Sequence, residues 1–404
     1  MTYEHPTAFQ LWGPEEEIAI DRVRKSGQWT MGREVRAFEE EFADWHGRRH
    51  GIMVNSGSSA NLIAVAALRH MGCLADGALV AVPSIAWSTT YAPLIQHNAN
   101  LSLIDVDDSW NANPEQDIPD VSLIIACSIL GNPAWLDHWR GIAKAQNVPL
   151  LEDNCESLGA MADADTMPGP YGSTMPYCKL AGTYGDLSTF SFFWSHQLSA
   201  IEGGMILTDN WELADLCCML RAHGWTRDLD HMQIQPGRAA FDDEYDFRVF
   251  GYNVRPLEMH AAIARAQLKK LPRFIEARRT NYQNFRQKVT ERGLPVGLPR
   301  LRGSPSPFGL HFMCRSRNER ALLVSHLRTN GIDARLPTGG SFRMHEYGKP
   351  FRDQQTPQAD NIHERGLFLG NAPWDQTEAI NRIVEVMAGF FWNHPLSAVE
   401  DAPA

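Results

Sequence analysis

The first two-thirds of the chain alternate short, continuously apolar segments with stretches of helical periodicity. Apolar runs rich in Val, Ile, Leu and Phe predict strands at 78–82, 101–106, 121–126, 149–152, 187–192 and 205–208. Helical patterns between them predict helices at 60–71, 89–97, 135–146 and 211–222. Strands without polar alternation are typical of a sheet covered on both faces, and strand–helix alternation favours parallel pairing. The pattern therefore predicts an α/β fold with a large, mostly parallel sheet.

The remaining third predicts a second, smaller unit. The segment 162–185 is rich in Pro, Gly, Ser and Thr and predicts a long irregular loop. A helix is expected from 251 to 270, and a long second helix after Leu271. Apolar runs at 308–314 and 332–336, with a helix at 318–330 between them, predict a small α/β domain. We expect a large domain over 1–270 and a small C-terminal domain over 271–404.

Charge and composition exclude several classes of function. The 404 residues carry a net charge of -11, so neither duplex nucleic acid nor an anionic membrane would attract this chain. No basic, apolar leader opens the sequence, and no apolar run approaches the ~20 residues of a membrane span. A cytoplasmic location is expected. The seven cysteines form no C-x-x-C motif, which predicts free thiols and no metal site or iron–sulfur cluster.

Two motifs could hold a flat anionic ligand; the first follows the short strand-like run IMV and the second follows a predicted strand. In NSGSSANL, Gly57, Ser58 and Ser59 stand where a helix begins, and free backbone N–H groups there favour an anion. Simple helix capping is the alternative explanation. Trp87 follows strand 78–82, at the end of the sheet where ligands of α/β proteins bind, and its indole could stack on a heterocycle. The alternative is a tryptophan in the hydrophobic core.

Further polar residues extend this candidate site. Asp153 and Glu156 follow a buried strand, where a carboxylate needs a cationic partner such as a protonated pyridine nitrogen, or a nearby Arg or Lys. His196 stands at the apex of the turn in FSFFWSHQLSAIEGG. Three further candidates carry little weight individually: His223, Asn253 and Arg255. An anion cradle, a flat stacking group, a buried carboxylate and a possible base together suit pyridoxal 5'-phosphate (PLP).

The order of these motifs resembles a known family. SGSSANL, VPSIAWSTTY, LLEDNCESLGA, GTYGDLSTFSFFWSHQLSAIEGGMILTD and GYNVRPLEM are similar in order and spacing to the DegT/DnrJ/EryC/StrS sugar aminotransferases, which act on nucleotide-linked ketosugars. The resemblance covers roughly residues 30–336. It implies the aspartate aminotransferase fold, type I among PLP-dependent enzymes, with a seven-stranded type of large sheet. It also implies a homodimer with shared active sites.

One departure from the family pattern changes the expected chemistry. The turn after FSFF carries a lysine in the aminotransferases, which holds the cofactor covalently, whereas His196 stands there in this chain. A branch of the family with the same replacement consists of 3-dehydratases that remove the C3 hydroxyl of nucleotide sugars. The resemblance therefore implies PLP or pyridoxamine phosphate held non-covalently and His196 as the catalytic base. It further implies glutamate as amino donor, release of ammonia, and a nucleotide-linked 4-keto-6-deoxyhexose such as GDP-4-keto-6-deoxy-D-mannose as substrate.

The resemblance also assigns roles to individual residues. It implies that Asp153 holds the pyridine nitrogen, that Trp87 stacks on the ring, and that Glu156 lies near the ring hydroxyl. The phosphate is expected to contact Gly57, Ser58, Ser59 and Ser191, with Asn253 reaching over from the second subunit. The sugar substrate is expected to contact His223 and Arg255.

Two other functions remain open from the sequence. An ordinary aminotransferase could use another lysine, with Lys179 and Lys269 as candidates, although neither lies on the matching turn. A catalytically inactive binding protein could also retain the fold without the lysine. Asp153, Trp87 and the phosphate-site serines are all present, which favours an enzyme over an inactive relative.

Overall fold

The computed structural model describes residues 3–168, 174–229 and 245–394. Its helices are α1 Pro14–Ser26, α2 Arg33–His46, α3 Gly57–His70, α4 Ser88–Gln96, α5 Leu136–Gln146, α6 Trp211–Arg221, α7 Glu258–Glu291, α8 Arg317–Thr329, α9 Pro357–Arg365 and α10 Thr377–Asn393. Its strands are β1 His50–Val54, β2 Leu79–Pro83, β3 Asn100–Ile104, β4 Leu123–Cys127, β5 Leu150–Asp153, β6 Met161–Pro168, β7 Thr174–Leu180, β8 Leu187–Ser191, β9 Gly204–Thr208, β10 Gly309–Met313, β11 Ala334–Arg335 and β12 Gly366–Gly370.

The large sheet has seven strands in the order β1-β9-β8-β5-β4-β2-β3. β3, β2, β4, β5 and β8 pair in parallel, and β9 runs antiparallel to both β8 and β1. The predicted α/β fold with a mostly parallel, seven-stranded sheet is confirmed. All six predicted strands are present, displaced by at most two residues at either end, and β1 is the seventh.

Burial on both faces explains the continuous apolar runs. Val80 and Val82 of β2 point into one hydrophobic cluster, whereas Ala81 between them belongs to the cluster on the opposite face. β1 follows the same rule, since Ile52 and Val54 lie on one side and Met53 on the other. Helices cover both faces, so strand residues on either side are mostly apolar.

The segment predicted as an irregular loop is an antiparallel hairpin. β6 and β7 pair from Met161 opposite Leu180 to Pro168 opposite Thr174, with a register shift between Ala164 and Thr166. The prediction over 162–185 was wrong in this respect, because pairing outweighed a local composition rich in turn-forming residues. The irregular pairing and the prolines explain why the sequence lacks the alternation of a regular strand.

The two helices predicted on either side of Leu271 form one helix of 34 residues, α7. Pro272 lies inside it, where the sequence suggested a break. Leu268 and Leu271, which precede Pro272, and Phe274, which follows it, are all buried. Tertiary packing therefore stabilises the helix although Pro272 lacks an N–H donor. α7 crosses position 270 and so belongs to both sides of the predicted boundary. The division into domains 1–270 and 271–404 stays a prediction.

The C-terminal region forms a small antiparallel sheet, β10-β12-β11, as the sequence predicted for a small α/β unit. Its core joins α7 to β10 through Tyr282, Phe285, Leu310 and Phe312. This arrangement brings Phe308 and the segment after β11 towards the carboxyl ends of the large sheet. Within the described ranges, no helix has the length and apolar character needed to cross a membrane.

Candidate active site

A cavity of about 360 Å³ opens at the carboxyl ends of β5 and β8, between the large sheet and the small C-terminal unit. Its wall is formed by Ser56, Gly57, Ser58, Asn61, Trp87, Thr89, Asp153, Cys155, Glu156, Ser191, Phe193, Ser195, His196, Glu202, Phe308, Arg335, Leu336, Thr338, Gly339 and Phe368. Seven residues predicted as site residues are among them: Gly57, Ser58, Trp87, Asp153, Glu156, Ser191 and His196. Residues far apart in sequence meet there because neighbouring parallel strands end at the same edge.

Asp153 ends β5 and is 3% exposed, at the floor of the cavity. One carboxylate oxygen accepts hydrogen bonds from Asn61 Nδ2 at 2.9 Å and from Thr90 Oγ1 at 2.7 Å. The other accepts the backbone N–H of Cys155 at 3.1 Å. The described residues offer it hydrogen-bond donors and no Arg or Lys ion pair. Asp153 is therefore a buried, rigidly held carboxylate suited to a cationic group in the cavity.

The amino terminus of α3 lies against the end of β8. A Cβ atom on Gly57 would lie 2.5 Å from Cβ of Ser191 and 2.8 Å from Sγ of Cys155, so only glycine permits this approach. Ser56 caps the helix, since its hydroxyl accepts the backbone N–H of Ser59 at 3.1 Å. The hydroxyl of Ser58 instead contacts Thr89 Oγ1 at 2.8 Å beside the cavity. Helix capping therefore belongs to Ser56, which leaves Ser58 and Ser191 available for an anion at a helix amino terminus.

Trp87 lies beside the cavity and outside the hydrophobic core. It precedes α4 after the end of β2, and 56% of the residue is exposed. A tryptophan of the hydrophobic core would be buried, so the exposure of Trp87 argues against that alternative. The exposed indole on the cavity wall can stack on a flat ring.

His196 lies in the turn between β8 and β9, with its ring between Phe193 and Phe308 at centroid distances of 5.8 Å and 5.5 Å. Its Nδ1 atom is shielded from solvent and has no hydrogen-bond partner in the described part of the chain. Burial lowers the pKa of His196 to about 4, against the opposing effects of the Ser191 backbone and the Asp153 carboxylate. A neutral imidazole at the cavity wall is a proton acceptor.

Glu156 lies where the large sheet and the C-terminal unit meet. Its Oε2 atom accepts the backbone N–H of Leu130 at 2.9 Å and the hydroxyl of Thr338 at 2.8 Å. Both partners have positive φ angles, 50° at Leu130 and 44° at Thr338, a strained conformation for residues other than glycine. Burial raises the pKa of Glu156 to about 7, and the charge of Asp153 acts in the same direction. The carboxyl can therefore hold a proton in the cavity near neutral pH.

This raised pKa predicts a pH-dependent cost in stability. The unfolded carboxyl ionises near pH 4.5 and the folded one near pH 7, so the free energy of unfolding falls as pH rises between these values. Glu156→Gln should remove this contribution, which is on the order of 3 kcal/mol between pH 5 and pH 8. Urea unfolding of both cofactor-free proteins at the two pH values measures it. Equal losses of stability in wild type and variant would contradict the raised pKa.

Four predicted site residues lie outside this cavity. Ser59 participates in capping α3, while His223, with φ 66°, and Asn253 are exposed. Arg255 contacts Asn253, with Nε at 3.1 Å from Oδ1. Asn253 was expected to serve the site of a second subunit, and its exposure leaves that role a prediction. Roles for His223 and Arg255 likewise remain predictions.

The structure adds residues that the sequence did not single out. Asn61 and Thr90 hold Asp153, and Thr89 contacts Ser58. Thr89 and Thr90 directly follow Trp87 in WSTTY, so that motif offered a signal. Arg335 and Thr338 come from the C-terminal unit and had no local motif, because only the folded chain brings them to the cavity.

The described cavity fits PLP. Asp153 is a buried carboxylate held by uncharged donors, which suits a protonated pyridine nitrogen. The unpartnered Nδ1 of His196 and the close contact of Gly57 with Ser191 are two further features that a bound ligand would explain. Lysine is absent from the described wall of the cavity. Lys179 donates to the backbone of Thr183 and borders a different groove. The described residues also contain no cluster of His, Cys, Asp and Glu that could hold a metal ion.

Comparison with known protein families agrees with this geometry. The sequence profile of the DegT/DnrJ/EryC1/StrS aminotransferase family matches residues 12–388. The chain belongs to this family. The match extends from the amino-terminal helices to α10 and therefore includes every wall of the cavity.

Two curated relatives from this family are 3-dehydratases. GDP-4-keto-6-deoxy-D-mannose 3-dehydratase of Yersinia pseudotuberculosis is 36% identical over 95% of this chain and 98% of its own length. dTDP-4-dehydro-2,6-dideoxy-D-glucose 3-dehydratase of Saccharopolyspora spinosa is 32% identical over 93% of this chain and 84% of its own length. A solved GDP-4-keto-6-deoxymannose-3-dehydratase with a trapped PLP–glutamate geminal diamine is 34% identical, with a TM-score of 0.85 over 95% of this chain and all of that one.

Proposed function

We propose that this protein is a PLP-dependent 3-dehydratase that removes the C3 hydroxyl of a nucleotide-linked 4-keto-6-deoxyhexose. The first candidate substrate is GDP-4-keto-6-deoxy-D-mannose, with L-glutamate as amino donor and ammonia as a product. The single observation that carries this proposal is His196, an imidazole at the lysine position, on a cavity whose described wall contains no lysine. The two dehydratase relatives support the same chemistry at over 30% identity.

PLP bound in the cavity would take the amino group of glutamate and, in the resulting pyridoxamine phosphate form, would supply the electron sink for C3–O cleavage. Asp153, fixed by Asn61 and Thr90, would hold its pyridine nitrogen protonated. Ser58, Ser191 and the amino terminus of α3 would bind its phosphate, and Trp87 would cover its ring.

His196 would move the proton. Its neutral imidazole would accept the proton lost from carbon C4′ of the cofactor as the C3–O bond breaks, and would give it to the departing C3 hydroxyl, which leaves as water. Imidazole forms no stable covalent bond to the cofactor, in contrast to a lysine amine. The nitrogen taken from glutamate therefore ends as ammonia, and glutamate itself leaves as 2-oxoglutarate. The sugar loses one oxygen and gains no nitrogen.

A second subunit would complete the site in this proposal. His223, Asn253 and Arg255 lie outside the cavity of a single chain. Exposed apolar residues recur close to Asn253 in sequence: Phe247 is 53%, Phe250 98% and Leu257 47% exposed, and grouped exposure of this kind marks interaction surfaces. We therefore propose a homodimer with shared sites, which sedimentation equilibrium of the purified chain would test.

Turnover of defined substrates tests the proposed reaction. The protein with PLP and glutamate should convert a GDP-linked 4-keto-6-deoxy sugar to its 3-deoxy product and equimolar ammonia, detected by mass spectrometry and an ammonia assay. A panel with dTDP, CDP and UDP sugars identifies the nucleotide. An amino sugar as product would establish an aminotransferase instead. Binding of PLP without turnover of any panel member would favour an inactive binding protein.

Borohydride treatment separates the two modes of cofactor retention. Reduction should leave no cofactor attached to the chain, because the described cavity wall lacks a lysine amine. Intact-protein mass spectrometry after gel filtration measures this. A peptide carrying the cofactor on Lys179 or Lys269 would overturn the proposal.

Arg335 should contribute to binding of an anionic substrate. It is the only Arg or Lys among the described residues that line the cavity, and its side chain is 53% exposed. Arg335→Ala should raise KM for the glutamate or nucleotide-sugar substrate about tenfold, the loss of one charge-assisted hydrogen bond, and change kcat little. Initial-rate kinetics identify which substrate is affected, with Arg328→Ala as control outside the cavity. Unchanged KM values for both substrates would contradict this role.

A further inference from the structure

A buried arginine, Arg278 of α7, contacts the turn that carries His196. It is 2% exposed, and its NH1 group donates to the backbone carbonyl of His196 at 3.2 Å. Its Nε donates to the carbonyl of Asn371 at 3.0 Å, while Asn371 Nδ2 donates back to the carbonyl of Arg278 at 2.9 Å. The guanidinium therefore connects α7, the His196 turn and the segment after β12.

No carboxylate balances this charge within the described residues. The two protein contacts of the guanidinium are backbone carbonyls, and burial lowers the pKa of Arg278 to about 9. An unpaired buried cation costs free energy, and an apolar side chain would fill the same space without that cost. A purely structural role explains the hydrogen bonds but gives no reason for the charge. His196, whose backbone carbonyl accepts a hydrogen bond from this guanidinium, responds to the charge: besides burial, the charge of Arg278 lowers the pKa of its imidazole.

The charged groups around His196 act in both directions. Arg278 disfavours the imidazolium from the side of α7, whereas Asp153 at the end of β5 favours it. Four other titratable or charged side chains line the cavity: Cys155, Glu156, Glu202 and Arg335. Among these groups, Arg278 is the buried cation that donates a hydrogen bond to the backbone of the His196 turn.

We propose that Arg278 is a positioning residue: its guanidinium anchors the turn that carries His196, and its buried charge adds to the effect of burial in keeping that imidazole neutral and able to accept a proton. This inference rests on the proposed role of His196 as the base. A fixed positive charge destabilises the imidazolium but leaves the neutral ring unaffected. With this charge present, His196 therefore remains a neutral base at lower pH than it would without it.

NMR titration of the histidine ring carbons in the cofactor-free protein tests the coupling without turnover. His196→Asn identifies the signal by its loss. In wild type the His196 ring should stay neutral as the pH is lowered to about 5. In Arg278→Met the midpoint of its titration should rise by about one pH unit. Arg278→Lys, which keeps the charge, should titrate as wild type does. Arg279→Met is the matched control, since this neighbour donates to the backbone of Pro305 instead of the His196 turn.

The outcomes separate the possibilities. Arg278→Gln carries the same test if the methionine variant does not fold, because it is neutral and retains an amide donor. An unchanged midpoint in the neutral variants, or a rise in Arg278→Lys equal to that in Arg278→Met, would overturn the electrostatic role. The titration needs no substrate, so it reports on Arg278 even if the wild-type protein fails to dehydrate any sugar, a result that would instead overturn the proposed function.

Discussion

Replacing His196 with asparagine is expected to lower kcat for dehydration by about 10²–10⁴-fold, the usual contribution of one general base. Asparagine is close in size to imidazole and polar, but it cannot take up a proton near neutral pH. Cofactor binding should change little, because Asp153, Ser58, Ser191 and Trp87 remain. Single-turnover kinetics with the nucleotide sugar and pre-formed pyridoxamine phosphate measure the loss directly.

The neighbouring Gln197 supplies the control for this substitution. Its side-chain amide donates to the backbone carbonyls of Glu156 at 2.6 Å and Ser306 at 2.8 Å, so it holds the same turn without facing the reaction. Gln197→Glu should lower stability more than it lowers the rate per folded molecule. A His196→Asn enzyme that dehydrates at the wild-type rate would eliminate His196 as the base. His196→Lys should allow borohydride to fix the cofactor to the chain.

The second large effect is expected at Asp153. Asp153→Asn replaces the buried carboxylate by an amide that cannot stabilise a protonated pyridine nitrogen, while the donors Asn61 and Thr90 lose their charged acceptor. Loss of one partner from a buried ionic pair costs about 3 kcal/mol or more, which corresponds to at least ~100-fold weaker cofactor binding. Fluorescence titration with PLP and with pyridoxamine phosphate measures the dissociation constants.

Glu202→Gln is the matched control for Asp153→Asn. Glu202 also lines the cavity and its carboxyl is exposed, so its neutralisation should change cofactor affinity less than threefold. Similar losses in both variants would indicate a general effect of net charge in the cavity. Unchanged affinity in Asp153→Asn would show that the carboxylate does not bind the pyridine ring.

The cavity at the carboxyl edge of the large sheet could be predicted from local sequence. Gly57 and Ser58 at the start of α3, Asp153 at the end of β5 and His196 after β8 each follow an apolar run that reads as a strand. Parallel strands place such residues at one edge of the sheet, so their proximity follows from topology. The prediction of an irregular loop at β6 and β7 was wrong because local sequence carried no signal there. Two strands of poor local propensity pair with each other, which is a tertiary effect.

The sequence by itself determined the α/β sheet, the cofactor-type site at its carboxyl edge, and the replacement of a lysine by His196. These features depend on periodicity within one segment or on the identity of one residue in a motif. Only the tertiary structure decided that Thr338 bonds to Glu156, that Arg335 enters the cavity, and that Arg278 contacts the His196 turn. Those contacts join residues more than 80 positions apart, and burial and charge at such contacts depend on packing that no local pattern contains.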